Sequence, residues 1–310
     1  MSPIIAAATG HLRVPALRLL FARFPVEEQE IRLQDAIAAS ERGTLVLDHL
    51  LIALKGDLPV GSALVMIQAD GVALVWPPVI SCGADDPTVV EDLLMQEICR
   101  RIDAAPVKLS QSLLAVDDEA DSRVLSRHGF AQAAEMYFLA KTLTPSDVAT
   151  LPRDAAITTE TYRSDNADRF ERLIEATYQG SLDCPFLTGV RSGRDAIVSH
   201  KQSGQFNPDR WHLYQVNGQD AGVILLNDHP DQDAAELVYV GVAPAARGRG
   251  LGRRMLSDGV HSSVELGRAV MFLAVDCENR FANALYSEFD FAELARRRIL
   301  LRLPSGLARQ

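Results

Sequence analysis

The sequence predicts two successive α/β units, each a mixed sheet of strands with helices packed on it. Three observations carry this expectation. The chain has 310 residues, more than the roughly 100–200 of a single domain. Residues 142–154 (TLTPSDVATLPRD) hold two prolines and little apolar pattern, which marks a linker. The order of strand-like and helix-like segments before this stretch recurs after it. The expected units are therefore residues 1–145 and 155–310.

In the first half, helical spacing of apolar residues covers 17–24 and 27–39. Strand-like runs follow at 45–54, 60–68 and 72–80, with turns at Gly56-Asp57 and Asp70-Gly71. A helix over 88–104 puts Leu93, Leu94 and Ile98 on one face. Residues 109–116 read as a strand, 121–128 as a helix and 133–141 as a last strand.

In the second half, 157–162 is strand-like, and Ser164 is placed to cap a helix running to Tyr178. Phe170, Leu173, Ile174 and Thr177 form its apolar face. A helix at 194–202 precedes strands at 211–216, 222–226 and 236–242, the first two joined at Asn217-Gly218. Then come a helix at 251–266, a strand at 270–275, a helix at 280–288 and a strand at 296–303.

A shift of 161 residues lays the first half on the second. Phe130 falls on Phe291, Leu94 on Met255, Leu114 on Val275, Gly56 on Asn217 and Asp70 on Asp231. Identity is slight, but element order and turn positions agree, so the chain reads as a tandem repeat of one α/β unit.

Bulk properties narrow the function. The formal net charge of −10 argues against non-specific nucleic-acid binding, which needs a basic face. Cys82, Cys99, Cys184 and Cys277 are widely spaced without a CxxC pair, as in a reduced cytoplasmic protein. No apolar run approaches the roughly 20 residues of a membrane span. The start, residues 1–12, lacks the basic flank of a signal peptide. The seven histidines have no metal-ligand spacing, so no metal is expected.

The chemistry-bearing segment is Arg247-Gly248-Arg249-Gly250-Leu251-Gly252. It follows a buried strand that Pro244 ends and precedes an apolar helix containing Leu251, Met255, Leu256 and Val260. A strand, a glycine-rich turn and a helix N-terminus together make an anion site. Glycines allow positive φ and close approach of backbone to ligand. Unpaired N–H groups of the first turn and the helix dipole favour negative charge. Arg247, Arg249 and Arg253 add charges suited to phosphate oxygens. The spacing is neither GxGxxG early in a βαβ unit nor a P-loop, since Arg253-Arg254 stands where GK[ST] would be needed.

With these residues in place, the second half resembles the GNAT superfamily of acetyltransferases. The resemblance rests on Val242-x-Pro244-x-x-Arg247-Gly248-Arg249-Gly250-Leu251-Gly252, then Asn279-x-x-Ala282-x-x-Leu285-Tyr286 and Phe291. It covers residues 157–303. The tandem layout resembles mycothiol synthases and similar two-domain bacterial members. One departure is Asp290, where the family has glycine; it bears on a turn rather than on the chemistry.

The resemblance implies tandem GNAT-like acyl-CoA N-acyltransferase folds, the first degenerate, with acetyl-CoA as co-substrate. It implies that backbone amides from Arg247 to Gly252 hold the pyrophosphate. Val240 and Val242 would pair with the pantetheine arm where two strands splay apart, and Asn279 would contact the pantetheine or phosphate region. Acetyl transfer needs a neutral amine, and an alkyl amine with a pKa of about 10.4 must lose a proton first. Glu236, at the start of the strand entering the loop, matches the family's usual base; Asp183 or an ordered water are alternatives. Tyr286 matches the general acid that protonates the leaving thiolate. Tyr178 and Asp183 lie in the segment that covers the acceptor pocket in this family.

The repeat supplies an internal comparison. Shifted by 161, Arg247 becomes Asp86, Gly248 Pro87, Gly250 Val89, Gly252 Glu91, Asn279 Asp118, Tyr286 Leu125 and Glu236 Val75. Carboxylates here would repel pyrophosphate. The expectation is one acetyl-CoA site per chain, in the second half, serving a small-molecule amine in a monomer or homodimer. A protein or peptide N-acetyltransferase and a non-catalytic acyl-CoA sensor remain alternatives.

Overall fold

The computed structural model describes residues 3–148, 154–187, 189–190 and 192–304. Its compact units are Met1–Ala133 with Arg298–Gln310, and Ala134–Arg297. The boundary is thus not in the expected linker, of which residues 149–153 lie outside the described residues. The last strand predicted for the first half belongs mostly to the second unit, and the end of the last strand of the chain belongs to the first.

The first unit comprises β1 (Ile4–Ala7), α1 (Arg13–Phe21), α2 (Val26–Glu41), β2 (Leu50–Lys55), β3 (Leu58–Ile67), β4 (Val72–Ile80), α3 (Pro87–Asp103), β5 (Leu109–Ala115) and α4 (Glu119–Arg127). Its strands run in order β1-β2-β3-β4-β5, all antiparallel except the parallel pair β4 and β5. β1 escaped the sequence reading because four residues carry too little pattern. β2 starts at Leu50 rather than residue 45; the preceding stretch buries Leu47 from a loop.

β6 (Ala131–Thr142) enters the second unit and is followed by β7 (Ile157–Thr161), α5 (Ala167–Tyr178), α6 (Gly193–His200), β8 (Trp211–Val216), β9 (Gln219–His229), β10 (Ala234–Val242), α7 (Leu251–Glu265), β11 (Val270–Asp276) and α8 (Arg280–Glu288). The strand order is β6-β11-β10-β9-β8-β7, with β10 and β11 the parallel pair. α5 starts after Asn166, not Ser164: the Asn166 side chain accepts from the Arg163 N–H and donates to the Thr161 carbonyl. α6 is fixed by a capping box between Ser192 and Asp195. β12 (Ala292–Arg302) is the last strand among the described residues and carries Leu300 into the first unit's core.

The 161-residue repeat holds in the structure. It carries β2 onto β8, β5 onto β11 and α4 onto α8 with identical bounds. Turn conformations repeat as well. Gly56 and Asn217 both have positive φ, as do Gly129 and Asp290. Asp290 therefore adopts the left-handed turn that glycine would, a conformation Asn and Asp tolerate best among side-chain-bearing residues.

Leu300 is fully buried beside Leu125 and Phe130. Leu300→Ala is expected to cost about 2–5 kcal/mol through the cavity it leaves. Amide exchange should accelerate across β5 and α4 and change little across α7. Unchanged exchange in the first unit would show that the chain's end is not part of its core.

Candidate active site

β10 and β11 pair only over residues 234–236 and 270–272. Beyond Glu236, β10 continues along β9 as far as Val242, while β11 continues along β6 as far as Asp276. The two strands part, helped by a bulge between Leu237 and Tyr239 that bends β10. A cavity of about 600 Å³ opens in the gap. Its walls come from residues 237–242 of β10, Ala274 and Val275 of β11, the segment after α5, the start of α7 and Tyr286 of α8. The strand edge lost to β11 leaves backbone donors and acceptors available to an extended ligand.

At one side of this cavity α7 begins without a side-chain cap. Gly248 and Gly250 have φ of 72° and 81°, so glycine is required by conformation rather than by crowding. The first N–H that finds an acceptor is Arg254, on the Gly250 carbonyl. Among the described residues none accepts from the backbone amides of residues 248–253, which is the arrangement that binds an anion. α7 itself is anchored by Leu251, Met255, Leu256 and Val260 in the sheet's apolar core. Gly222 on β9 admits the Met255 side chain, since a Cβ there would come within 2.6 Å of its sulfur.

The arginines divide their work differently from the sequence expectation. Arg247 donates to the carbonyls of Val242 (3.0 Å), Gly180 (3.2 Å) and Thr177 (2.8 Å). It thus ties the end of α5 to the glycine-rich turn, where a cation also suits the helix C-terminus. This engages the Val242 carbonyl, one of the groups expected to serve the ligand. Arg253 pairs with Glu288. Arg249 is exposed and has no side-chain partner among the described residues, unlike Arg247 and Arg253.

Tyr286 is buried, packs on Phe291 and lines the cavity. Burial, with a smaller contribution from Asp183, pushes its phenol well up and keeps the proton on oxygen. Asp183 lines the cavity too, in the segment beyond α5. Its Oδ1 accepts from the Asp276 N–H at 2.9 Å, and the Cys184 N–H returns a bond to Asp276 Oδ2 at 3.1 Å. This reciprocal clasp, with Cys184 in a left-handed conformation, fixes the segment to the end of β11. Asp183 stays accessible but is hemmed in by protein atoms; desolvation raises its carboxyl above the ordinary value, opposed by the Asp276 N–H. Tyr178 lines the cavity and packs edge-on against Tyr239, whose hydroxyl bonds Thr177 Oγ1 at 2.6 Å.

Asn279 also lines the cavity, but its Oδ1 caps α8 by accepting from the Ala282 N–H. Its amide N–H₂ is not used by that cap. Glu236 does not line the cavity. It stands one residue before the first β10 residue that does, at the point where the strands begin to part. Its Oε2 accepts from Ser203 Oγ at 2.5 Å and pairs with His229 Nε2 at 2.7 Å. Sequence reasoning missed Ser203, His229 and Asp276, because none lies in a motif and each meets its partner only in the fold.

The first unit has the same helix start in a different state. Asp86 caps α3 by accepting from the Val89 N–H, and Pro87 removes another donor. Asp85 pairs with Lys55. The position of Tyr286 is taken by the buried Leu125.

The chain is similar to known acetyltransferases in sequence and in fold. Residues 175–291 match the model of the Acetyltransferase (GNAT) family. A mycothiol acetyltransferase of Nocardioides sp. is 26% identical over 196 residues, which is 56% of this chain and 63% of that protein. A mycothiol acetyltransferase of Jonesia denitrificans is 25% identical over 197 residues, 58% of each chain. The matches thus span about three-fifths of these relatives. Among solved structures, a GCN5-related N-acetyltransferase from Sphaerobacter thermophilus has a TM-score of 0.64 at 19% identity, covering 97% of this chain and 95% of that one. A tandem GNAT protein from the clavulanic acid biosynthesis pathway has a TM-score of 0.56 at 12% identity, covering 97% and 98%. At such identities these two likenesses establish the tandem GNAT-like fold.

The arginine geometry separates two substitutions. Arg247→Ala uncovers three carbonyls and should lower the thermal midpoint of the free protein, at about 1–3 kcal/mol. Arg249→Ala should leave that midpoint in place and weaken CoA binding, with a flatter dependence on salt. Thermal melts and CoA titrations at two ionic strengths check both; an unaltered CoA affinity in Arg249→Ala would remove that residue from the phosphate site.

Proposed function

We propose that the second unit, which carries a GNAT acetyltransferase domain, moves an acetyl group from acetyl-CoA to a primary amine of a small molecule. Transfer occurs by direct attack within a ternary complex, and the first unit holds no CoA. The observation that carries this reading is the uncapped start of α7 opening onto the same cavity as the protonated Tyr286. A lone anion site would not need a buried phenol, and a lone phenol would not need unpaired amides beside it.

The backbone amides of residues 248–253 and the Arg249 guanidinium take the pyrophosphate. The freed edge of β10 around Val240 pairs with the pantetheine arm, assisted by the Asn279 amide, and directs the thioester toward the closed end of the gap. An N–H at Val240 polarises the thioester carbonyl where negative charge develops. Asp183, with no cation partner among the described residues, attracts the incoming ammonium, and Tyr178 forms a wall of its pocket. One ammonium proton passes to a carboxylate, for which Glu236 stands at the end of the gap. The nitrogen lone pair then forms the new C–N bond. As the C–S bond breaks, Tyr286 gives its proton to the sulfur, and the second proton shed by nitrogen restores the phenol. Placing both reactants in one cavity supplies most of the advantage over solution.

Asp86 and Pro87 support the assignment of no CoA to the first unit, because that helix start is already occupied by its own carboxylate. The relatives' name makes mycothiol-type amines the first acceptors to try, and a panel should extend to amino sugars, polyamines and peptides.

Thiol release from acetyl-CoA across such a panel tests the reading. Tyr286→Phe should lower kcat by about 100-fold or more while acetyl-CoA affinity stays within about threefold. Equal loss of both would make Tyr286 a packing residue. Tight acetyl-CoA binding with no amine acetylated would favour a sensor.

A further inference from the structure

Glu236 is the last β10 residue paired with β11, so it stands where the strand gap closes. Its carboxylate is unevenly engaged. Oε2 carries both bonds, from Ser203 Oγ and with His229 Nε2, whereas Oε1 has no partner among the described residues. Glu236 and His229 side chains are 22% and 16% exposed, so the pair is largely withdrawn from solvent.

The surroundings of this pair are tightly specified. The His229 ring lies edge-on to Phe272 at 5.2 Å, which fixes its plane. Gly204 lies against the same imidazole. A Cβ there would come within 2.5 Å of His229 Nε2 and 2.6 Å of the Asp228 carbonyl, and its φ is +58°. Only glycine lets this backbone approach the imidazole. Ser203 is placed by Asn227, whose Nδ2 donates to the carbonyls of both His200 and Ser203. Trp211 Nε1 in turn donates to Asn227 Oδ1, fixing the amide's orientation. A two-bond bridge between Gln205 and Asp228 holds the segment to β9. Ser203, Gly204, Trp211, Asn227, His229 and Phe272, six residues from four separated stretches of chain, thus fix the two donors to one carboxylate oxygen.

We propose that Ser203 and His229 are positioning residues of the acetyl transfer, fixing Glu236 through Oε2 so that Oε1, just outside the cavity wall, receives the proton of the attacking amine relayed by one water. This rests on the function proposed above. A glutamate side chain has three rotatable bonds, and two donors on one oxygen remove that freedom before the amine arrives. In this arrangement the imidazole serves as a donor through Nε2, the role a carboxylate acceptor requires of it.

The test uses the full chain, acetyl-CoA and the best amine of the panel. His229→Leu and Ser203→Ala should each lower kcat about tenfold, with acetyl-CoA affinity unchanged. His229→Gln, which can place a donor near the Nε2 position, should recover most of the rate. A hydrazide that is already neutral at the assay pH needs no base, so it should be acetylated by His229→Leu almost as fast as by the unaltered chain. In a Glu236→Gln background, His229→Leu should cost nothing further. The same fold loss in that background, or an equal loss with the hydrazide, overturns the proposal. Full activity of Glu236→Gln itself also overturns it, while leaving acetyl transfer standing. Failure of the unaltered chain to acetylate any amine overturns the proposed function and this inference with it.

Discussion

The structure of the second unit depends on where β10 and β11 stop pairing. Three residues on each strand form the parallel ladder, and past Glu236 the ladder ends. The cavity, the freed strand edge and the position of Glu236 all follow from that one event. β10 can part from β11 because β9 still pairs with it as far as Val242, and β11 can part because β6 supports its other edge. The gap is therefore a stable feature of a well-paired sheet rather than a defect in it. The α7 start and the Arg247 tie then close two of its sides.

The two units show how little change separates an anion site from a plain helix start. Both have a strand, a turn and a helix at equivalent positions. In one, glycines at φ > 0 leave the first-turn amides bare. In the other, an aspartate side chain fills one amide and a proline deletes another. The helix of the first unit is stabilised by that cap, an effect of about 1 kcal/mol for such a residue. The helix of the second unit forgoes it, which is the pattern expected where stability is surrendered to a binding role.

Much of this was legible in the sequence, for identifiable reasons. The glycine-rich turn was readable because its chemistry demands particular residues at fixed spacing. Tyr286 was readable from its place behind Asn279, and the structure puts both on the same cavity. The repeat was readable because turn residues such as Gly56 and Asn217 mark the same backbone conformation. The exchange of terminal strand segments between units was not. A strand's pattern of burial says which face is buried but not which strand it will lie beside. Arg247 was expected on phosphate, yet three carbonyls claim it, because a local motif does not reveal the helix end that folds against it. Ser203 and His229 were invisible for the same reason: their shared partner, Glu236, is reached only through Asn227 and the β9–β10 register.

The central claim is that the bare amides at the start of α7 receive the pyrophosphate of CoA, once per chain. Backbone amide resonances followed during a CoA titration test it most directly. The account predicts large shifts at residues 248–253 that saturate at one equivalent, with Asp86 and residues 88–90 unmoved. Shifts at the start of α3, or none at the start of α7 when CoA is bound, would contradict it.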